Sequence, residues 1–123
     1  MRRLTEFIFA YQAANPDFVR LVMVENIDNA THLARSERIQ SLNLSIIEVM
    51  GEIYRRGVRE GVFRPGIDLI DLHITLSALC FFPVSNRATF SRIFARDIAS
   101  PEALARRRGV TCETVLAYLA NRP

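Results

Sequence analysis

The 123-residue chain is 50% hydrophobic with 5 Gly and 5 Pro, which excludes a disordered or collagen-like protein and fits one globular domain with one core. Its formal charge of +3 comes from 16 basic residues, all Arg, against 13 acidic ones; they are scattered and lack aromatic-basic interleaving, too weak a signature for nucleic-acid binding by the chain alone. Cys80 and Cys112 form neither a Cys-x-x-Cys pair nor a zinc spacing, both sit among apolar residues, and no secretory leader precedes them, so a reducing, cytoplasmic setting is expected.

Helical periodicity runs through the chain, and no strand pattern interrupts it. Arg2 to Ala14 carries Leu4, Phe7, Ile8 and Tyr11 at helical spacing and begins without a cap, like the tail of a longer helix. Asn15-Pro16-Asp17 is a helix start: Asn15 to accept from free backbone N–H groups, Pro16 for the first turn, Asp17 for the positive helix end. The helix is predicted to reach about Ala34. Phe18, Val19, Val22, Met23, Ile27, Ala30 and Leu33 form its apolar face, Arg20, Glu25, Asp28 and His32 lie opposite, and Asn26 falls within the apolar arc.

A polar connector, 35–38, leads to a long helix over about 39–60. Its apolar arc holds Ile39, Ile46, Ile47, Met50, Ile53, Tyr54 and Val58, together with Asn43. Glu52 and Arg56, on the other side, make a favourable i,i+4 pair. Gly61 ends the helix, Pro65-Gly66 supplies a turn, and Asp68 caps the next helix, Leu69 to about Pro83.

That helix is apolar on two sides. Leu69, Leu72, Leu76 and Leu79 make one; Ile70, Ile74, Ser77 and Phe81 make the other. Such a helix needs two covers: its own core and something else. The apolar stretch around 72–84 falls short of the roughly 20 residues of a membrane span. Pro83 bends or interrupts the run, and 86–95 continue it as helix. Ser100-Pro101-Glu102 starts the last helix, which runs to about Ala120. Its stripe holds Leu104, Ala105, Cys112, Val115, Leu116 and Leu119, and Arg108 projects into it. Gly109 in mid-helix costs about 1 kcal/mol against Ala, which points to a close helix crossing or to a break.

Three stretches carry a family resemblance: Tyr11-x3-Asn15-Pro16-Asp17-Phe18-x-Arg20-Leu21-x3-Glu25, Gly57-x3-Gly61-x-Phe63-x-Pro65-x2-Asp68, and Asn86-Arg87-x-Thr89-Phe90-Ser91. In this order, and with these helix lengths, the chain resembles the C-terminal domain of TetR/AcrR-type transcription regulators. The resemblance implies an all-α bundle of about six helices. The first four form a triangular cage around an effector pocket, and the last two pair with a second copy as a four-helix interface. It also implies a bacterial repressor in which a small molecule shifts the connecting helix and so controls operator binding allosterically. The helix-turn-helix head of that family does not precede Met1, so operator DNA is expected as a partner only through a head carried by a parent protein.

The candidate effector-binding residues are Tyr11, Asn26, Asn43, Met50 and Tyr54. A buried amide must be hydrogen-bonded, and Asn26 and Asn43 either orient a ligand or satisfy the core backbone. Met50 and Tyr54 suit an apolar effector, or are plain core. The candidate dimer interface comprises Ile70, Ile74, Ser77, Phe81, Leu104, Arg108, Cys112, Val115 and Leu119. Arg108 is answered by Asp68 or Asp71, across the dimer or within the chain, or lays its stem on the apolar surface with its head in water.

Asp28 and His32 are four apart and could chelate a metal beside Glu25, but they belong to the predicted polar face, so no metal is expected. His73, at the edge between two faces, fits a satisfied interface or core histidine. No phosphate loop, nucleophile elbow or triad appears, and neither an enzyme nor a cofactor is expected. The alternative to effector sensing is a free-standing helical dimerisation protein.

Overall fold

The computed structural model describes residues 1–35 and 37–120, and for residues 37–43 the backbone alone. It is all-helical: α1 Arg2–Ala14, α2 Pro16–Ile27, α3 Glu37–Arg59, α4 Leu69–Ser85, α5 Arg87–Ile93 and α6 Pro101–Leu119, with a 3-10 turn at Leu33–Arg35. α4 is the hub, packing against each of the other five helices, and α1 packs on both α4 and α6. The core joins Phe9 of α1, Met50 and Tyr54 of α3, Leu72, Leu76 and Cys80 of α4, and Val115 and Leu119 of α6; Phe63 and Ile67 close it from the α3–α4 loop.

The second of the three motifs has a physical explanation. Gly61, at φ +71, ends α3 in the left-handed region. There the Val62 N–H donates to the Gly57 carbonyl at 2.9 Å and the Gly61 N–H to that of Val58 at 3.0 Å, a Schellman closure. The chain then folds Phe63 back onto α3. Its ring stacks on Tyr54, 6.5 Å between centroids, and a Cβ on Gly57 would stand 2.1 Å from it. The Tyr54 hydroxyl donates to the Arg64 carbonyl at 2.9 Å and accepts from the Ile67 N–H at 3.0 Å, fixing the loop. Asp68 caps α4 as expected, accepting from the Ile70 and Asp71 N–H groups at 2.8 and 3.0 Å.

The same loop holds the end of α6. The Arg64 N–H donates to the Leu119 carbonyl at 2.9 Å. The Arg64 Nε donates to the Tyr118 carbonyl at 2.9 Å, and the guanidinium lies 4.6 Å from the Tyr118 ring centroid. Two carbonyls left over at the helix end are thereby satisfied, that of Leu119 by a backbone N–H and that of Tyr118 by a cationic side chain.

α2 stops earlier than its apolar period suggests. It ends at Ile27, and Asn29 and Ala30 turn through the left-handed region at φ 55 and 58. The reversal lets the Glu25 carboxylate, expected on the polar face, become buried: it accepts from the Leu33 N–H at 3.1 Å and lies 2.9 Å from His32 Nδ1. Asn15 also behaves differently from expectation. Its side chain caps nothing on α2 but donates back to the Tyr11 carbonyl of α1 at 2.8 Å.

α4 continues through Pro83 to Ser85, and the direction changes by 64° only at the passage into α5. Among the described residues no single helix is long and apolar enough to cross a membrane. α6 begins at Ser100, whose hydroxyl accepts from the Ala103 N–H at 3.2 Å. It runs unbroken through Gly109, beside which a Cβ would meet nothing within 4 Å. The close crossing expected at that glycine is therefore not made among the described residues.

Candidate functional site

The feature that the fold leaves open is one side of its central helix. Leu72, Leu76 and Cys80 of α4 are fully buried. On the opposite side Ile70 is 52% exposed, Ile74 58% and Phe82 48%, and the small Ala78 between them is also exposed. These four residues stand at successive i,i+4 positions and form one continuous ridge along the helix. Ser77 and Phe81, expected on this side, are half-buried at its margin, so the ridge is rotated by about one residue from the pattern read in the sequence. At its C-terminal end the apolar surface turns the corner into α5. Phe82 meets Phe90 edge-on at 5.2 Å, Phe90 meets Phe94 at 5.4 Å, and Ile93 and Phe94 are exposed.

α6 requires a correction. Cys112, Val115 and Leu119, expected at a dimer interface, are 1%, 1% and 0% exposed within the single chain, and Leu104 is half-buried against the same core. Wedged against α1 and α4, the helix spends its apolar stripe on its own subunit. Arg108 is exposed, and among the described residues no ion pair joins it to Asp68 or Asp71. The outer face of α6 carries Arg106, Val110, Glu113, Thr114 and Ala117 instead.

Those candidate effector residues whose side chains are described are not gathered around one cavity. Met50 is fully buried in the core, and both hydrogen-bonding capacities of the buried Tyr54 hydroxyl are taken by backbone. Asn26 is exposed, not within an apolar arc facing the core, and donates to the Val22 carbonyl at 2.9 Å. Tyr11 is half-exposed and packs edge-on against Phe18, 6.0 Å away. The Asn43 side chain lies outside the described residues. Two surface hollows, of about 310 and 300 Å³, lie along the C-terminal half of α3; of the five candidates, Tyr54 alone lines either. Apolar surface without cover does exist on α2, where Leu21 and Val24 are 60% and 59% exposed beside Phe18.

His73 is half-buried beside the α4 ridge; its Nδ1 is buried without a hydrogen-bond partner among the described residues, and burial holds its pKa below the usual histidine range. Burial, with the neighbouring Cys112 adding and Arg107 opposing, pushes the Cys80 thiol up to about 12, so it is protonated and inert. Glu25, Asp28 and His32 do come together, with His32 Nδ1 3.5 Å from the Asp28 carboxylate. Among the described residues, however, no group of His, Cys, Asp or Glu could hold a metal ion.

Comparison with known proteins agrees with the helical architecture. Residues 1–115 match the family described as tetracyclin repressor-like, C-terminal domain. The HTH-type transcriptional repressor NicS of Pseudomonas putida is 31% identical over 105 residues, which is 85% of this chain and 50% of the relative. The chain thus spans about half the length of the curated relative it matches. With five other helices packed around a central α4 among the described residues, and with that match over nearly its whole length, the chain belongs to the tetracyclin repressor-like C-terminal domain family and is a domain of a TetR-type transcription regulator rather than an enzyme.

Proposed function

We propose that this chain is the effector-sensing and dimerising part of a bacterial, cytoplasmic repressor. A small apolar molecule bound to it would control operator binding by a helix-turn-helix head in the parent protein, and the chain itself would make no sequence-specific DNA contact. The observation that carries this reading is the second apolar side of α4, where Ile70, Ile74 and Phe82 stand about half exposed on a helix that otherwise forms the centre of the core. A ridge of large aliphatic and aromatic side chains along a whole helix is a surface made to be covered. Membership of a repressor family makes a second copy the natural cover, with the outer face of α6 contributing Val110 and Ala117.

The effector side of the reading rests on the apolar surface of α1 and α2, where Tyr11 and Phe18 pair and Leu21 and Val24 are uncovered.

Light scattering at micromolar concentration tests the first half. The expected mass is twice the 14.0 kDa of one chain, and a single-chain mass at every concentration contradicts it. A thermal-shift panel of small aromatic and aliphatic carboxylates, alcohols and amines tests the second. At least one class should raise the melting temperature of the wild type and lose that effect in Leu21→Arg. A flat response to every class contradicts effector sensing.

A further inference from the structure

We propose that the C-terminal part of α3 binds a small phosphate monoester, with the phosphate on Arg55, Arg56 and Arg59 and the apolar body of the ester against Val58 and Pro65. Two hollows lie side by side there. One, of about 310 Å³, is lined by Glu52, Ile53, Arg55, Arg56 and Arg59. The other, of about 300 Å³, is lined by Tyr54, Arg55, Val58, Arg59, Pro65 and Gly66. Arg55 and Arg59 belong to both, so a charged hollow and a more apolar one share a wall of two guanidinium groups. Both are built from α3 and the α3–α4 loop, and neither draws on the uncovered surface of α2 or on the α4 ridge.

The three arginines are not engaged elsewhere. Among the described residues none of them makes a side-chain ion pair or hydrogen bond, and the Glu52–Arg56 pair expected from its i,i+4 spacing is not formed. Cations in a last helical turn commonly answer the free carbonyls. Here backbone groups do so: the Arg56, Gly57 and Val58 carbonyls accept from the Glu60, Val62 and Gly61 N–H groups at 3.0, 2.9 and 3.0 Å. Gly51 shows that Arg55 is seated as well as solvated. A Cβ there would stand 3.0 Å from Arg55 Nη1 and 2.9 Å from Leu69 Cδ1, so the guanidinium lies back against the helix in the space that the glycine leaves. Glycine inside a helix costs about 1 kcal/mol against Ala, and this close approach accounts for it. Charge then selects the ligand. With Glu52 set against the three guanidinium groups, the walls of the first hollow carry a net charge of +2. A phosphate monoester carries about −1.5 to −2 near pH 7, and guanidinium forks match its oxygens in pairs. A monocarboxylate would leave part of the positive charge unanswered, and Glu52 repels a second anionic group on the same ligand.

The test is an NMR titration of the whole isotope-labelled chain at constant ionic strength, following arginine Nε–H and backbone amide signals. Phenyl phosphate should shift Arg55, Arg59 and Gly66 saturably. Inorganic phosphate should bind at least about threefold more weakly, because it leaves the second hollow empty. Arg55→Gln and Arg59→Gln should each weaken phenyl phosphate by about tenfold, and Glu52→Gln should tighten it by about threefold. Arg92→Gln, at an exposed position on α5, should leave it unchanged. Glu52, Arg55 and Arg59 are exposed, so circular dichroism of the variants should match the wild type, and the opposed signs separate charge from loss of fold. Shifts that never saturate, or that survive both arginine substitutions, overturn the site. Benzoate bound as tightly as phenyl phosphate overturns the assignment to phosphate. Lipid headgroups share this chemistry: co-sedimentation with vesicles containing phosphatidic acid, without saturable binding of phenyl phosphate, overturns the small-molecule assignment in favour of a membrane surface.

Discussion

Replacing Gly57 with Ala probes the α3–α4 loop, and its sign should depend on one distant residue. Alanine on an exposed helix position ordinarily gains about 1 kcal/mol over glycine. Here the added Cβ would lie 2.1, 2.5 and 2.7 Å from three carbons of the Phe63 ring, so the ring must leave its place. Phe63 is 8% exposed, and moving it forfeits its burial and its stack on Tyr54. Burial of such a ring is worth about 1.5–3 kcal/mol, which outweighs the helix gain and leaves a net loss of about 1–2 kcal/mol. For a domain of this size that is a fall of about 4–8 °C in melting temperature. Thermal unfolding followed by circular dichroism measures it, at one fixed protein concentration because association would shift the midpoint. In a Phe63→Ala background the three nearest obstructing atoms are gone, and Gly57→Ala should become stabilising by up to about 1 kcal/mol. Equal cost in both backgrounds, or no cost in the wild type, would refute the reasoning.

Three further expectations follow from single groups. Gly109→Ala should stabilise by up to about 1 kcal/mol, since beyond the helix's own neighbouring atoms no described atom lies within 4 Å of the new methyl group; destabilisation in a thermal melt would mean that a second copy approaches there. Glu25→Ala removes the acceptor of the Leu33 N–H and the partner of His32, at a cost of about 1–3 kcal/mol. Amide hydrogen exchange at Leu33 should accelerate strongly, and unchanged protection would dismiss the carboxylate as the clamp on this turn. For His73 the folded chain holds the pKa below 6.5, so on acidification the unfolded state takes up the proton first. Stability from this group is therefore complete above about pH 6.5 and declines as the pH falls towards the lowered folded value. His73→Gln should flatten that part of the stability profile, and an identical profile in the variant would show that another group titrates.

The parts of this molecule that could be read from its sequence are those governed by neighbours in the chain. Asp68 and Ser100 cap their helices as short polar side chains do, and Gly61 closes α3 because a left-handed residue is needed there. The double-sided character of α4 was equally plain from its apolar residues. What a stripe does not reveal is whose surface covers it. Cys112, Val115 and Leu119 looked the same as an interface face, and only the packing of α6 against α1 and α4 shows that they belong to the core.

Glu25 was missed for a related reason. Helical phase placed it outside, but its partners arrive from beyond a left-handed turn at Asn29 and Ala30; Asn tolerates such a conformation, whereas the alanine after it gives no warning that the turn continues. Tyr54 was legible as an amphipathic aromatic, whereas the assignment of its hydroxyl to Arg64 and Ile67 depends on a loop that returns after ten or more residues. The effector residues suffered most, because a cavity is a property of several helices at once and no single period encodes it.

Sedimentation velocity of Ile74→Arg beside the wild type bears most directly on the uncovered ridge of α4. Ile74 is 58% exposed in the single chain, so the substitution should leave helical content and the monomer fold intact while placing a charge where two subunits would otherwise exclude water. The account predicts two-chain particles for the wild type and single, fully folded chains for the variant. Wild type and variant sedimenting alike, whether both paired or both single, would show that this ridge is not where the copies meet.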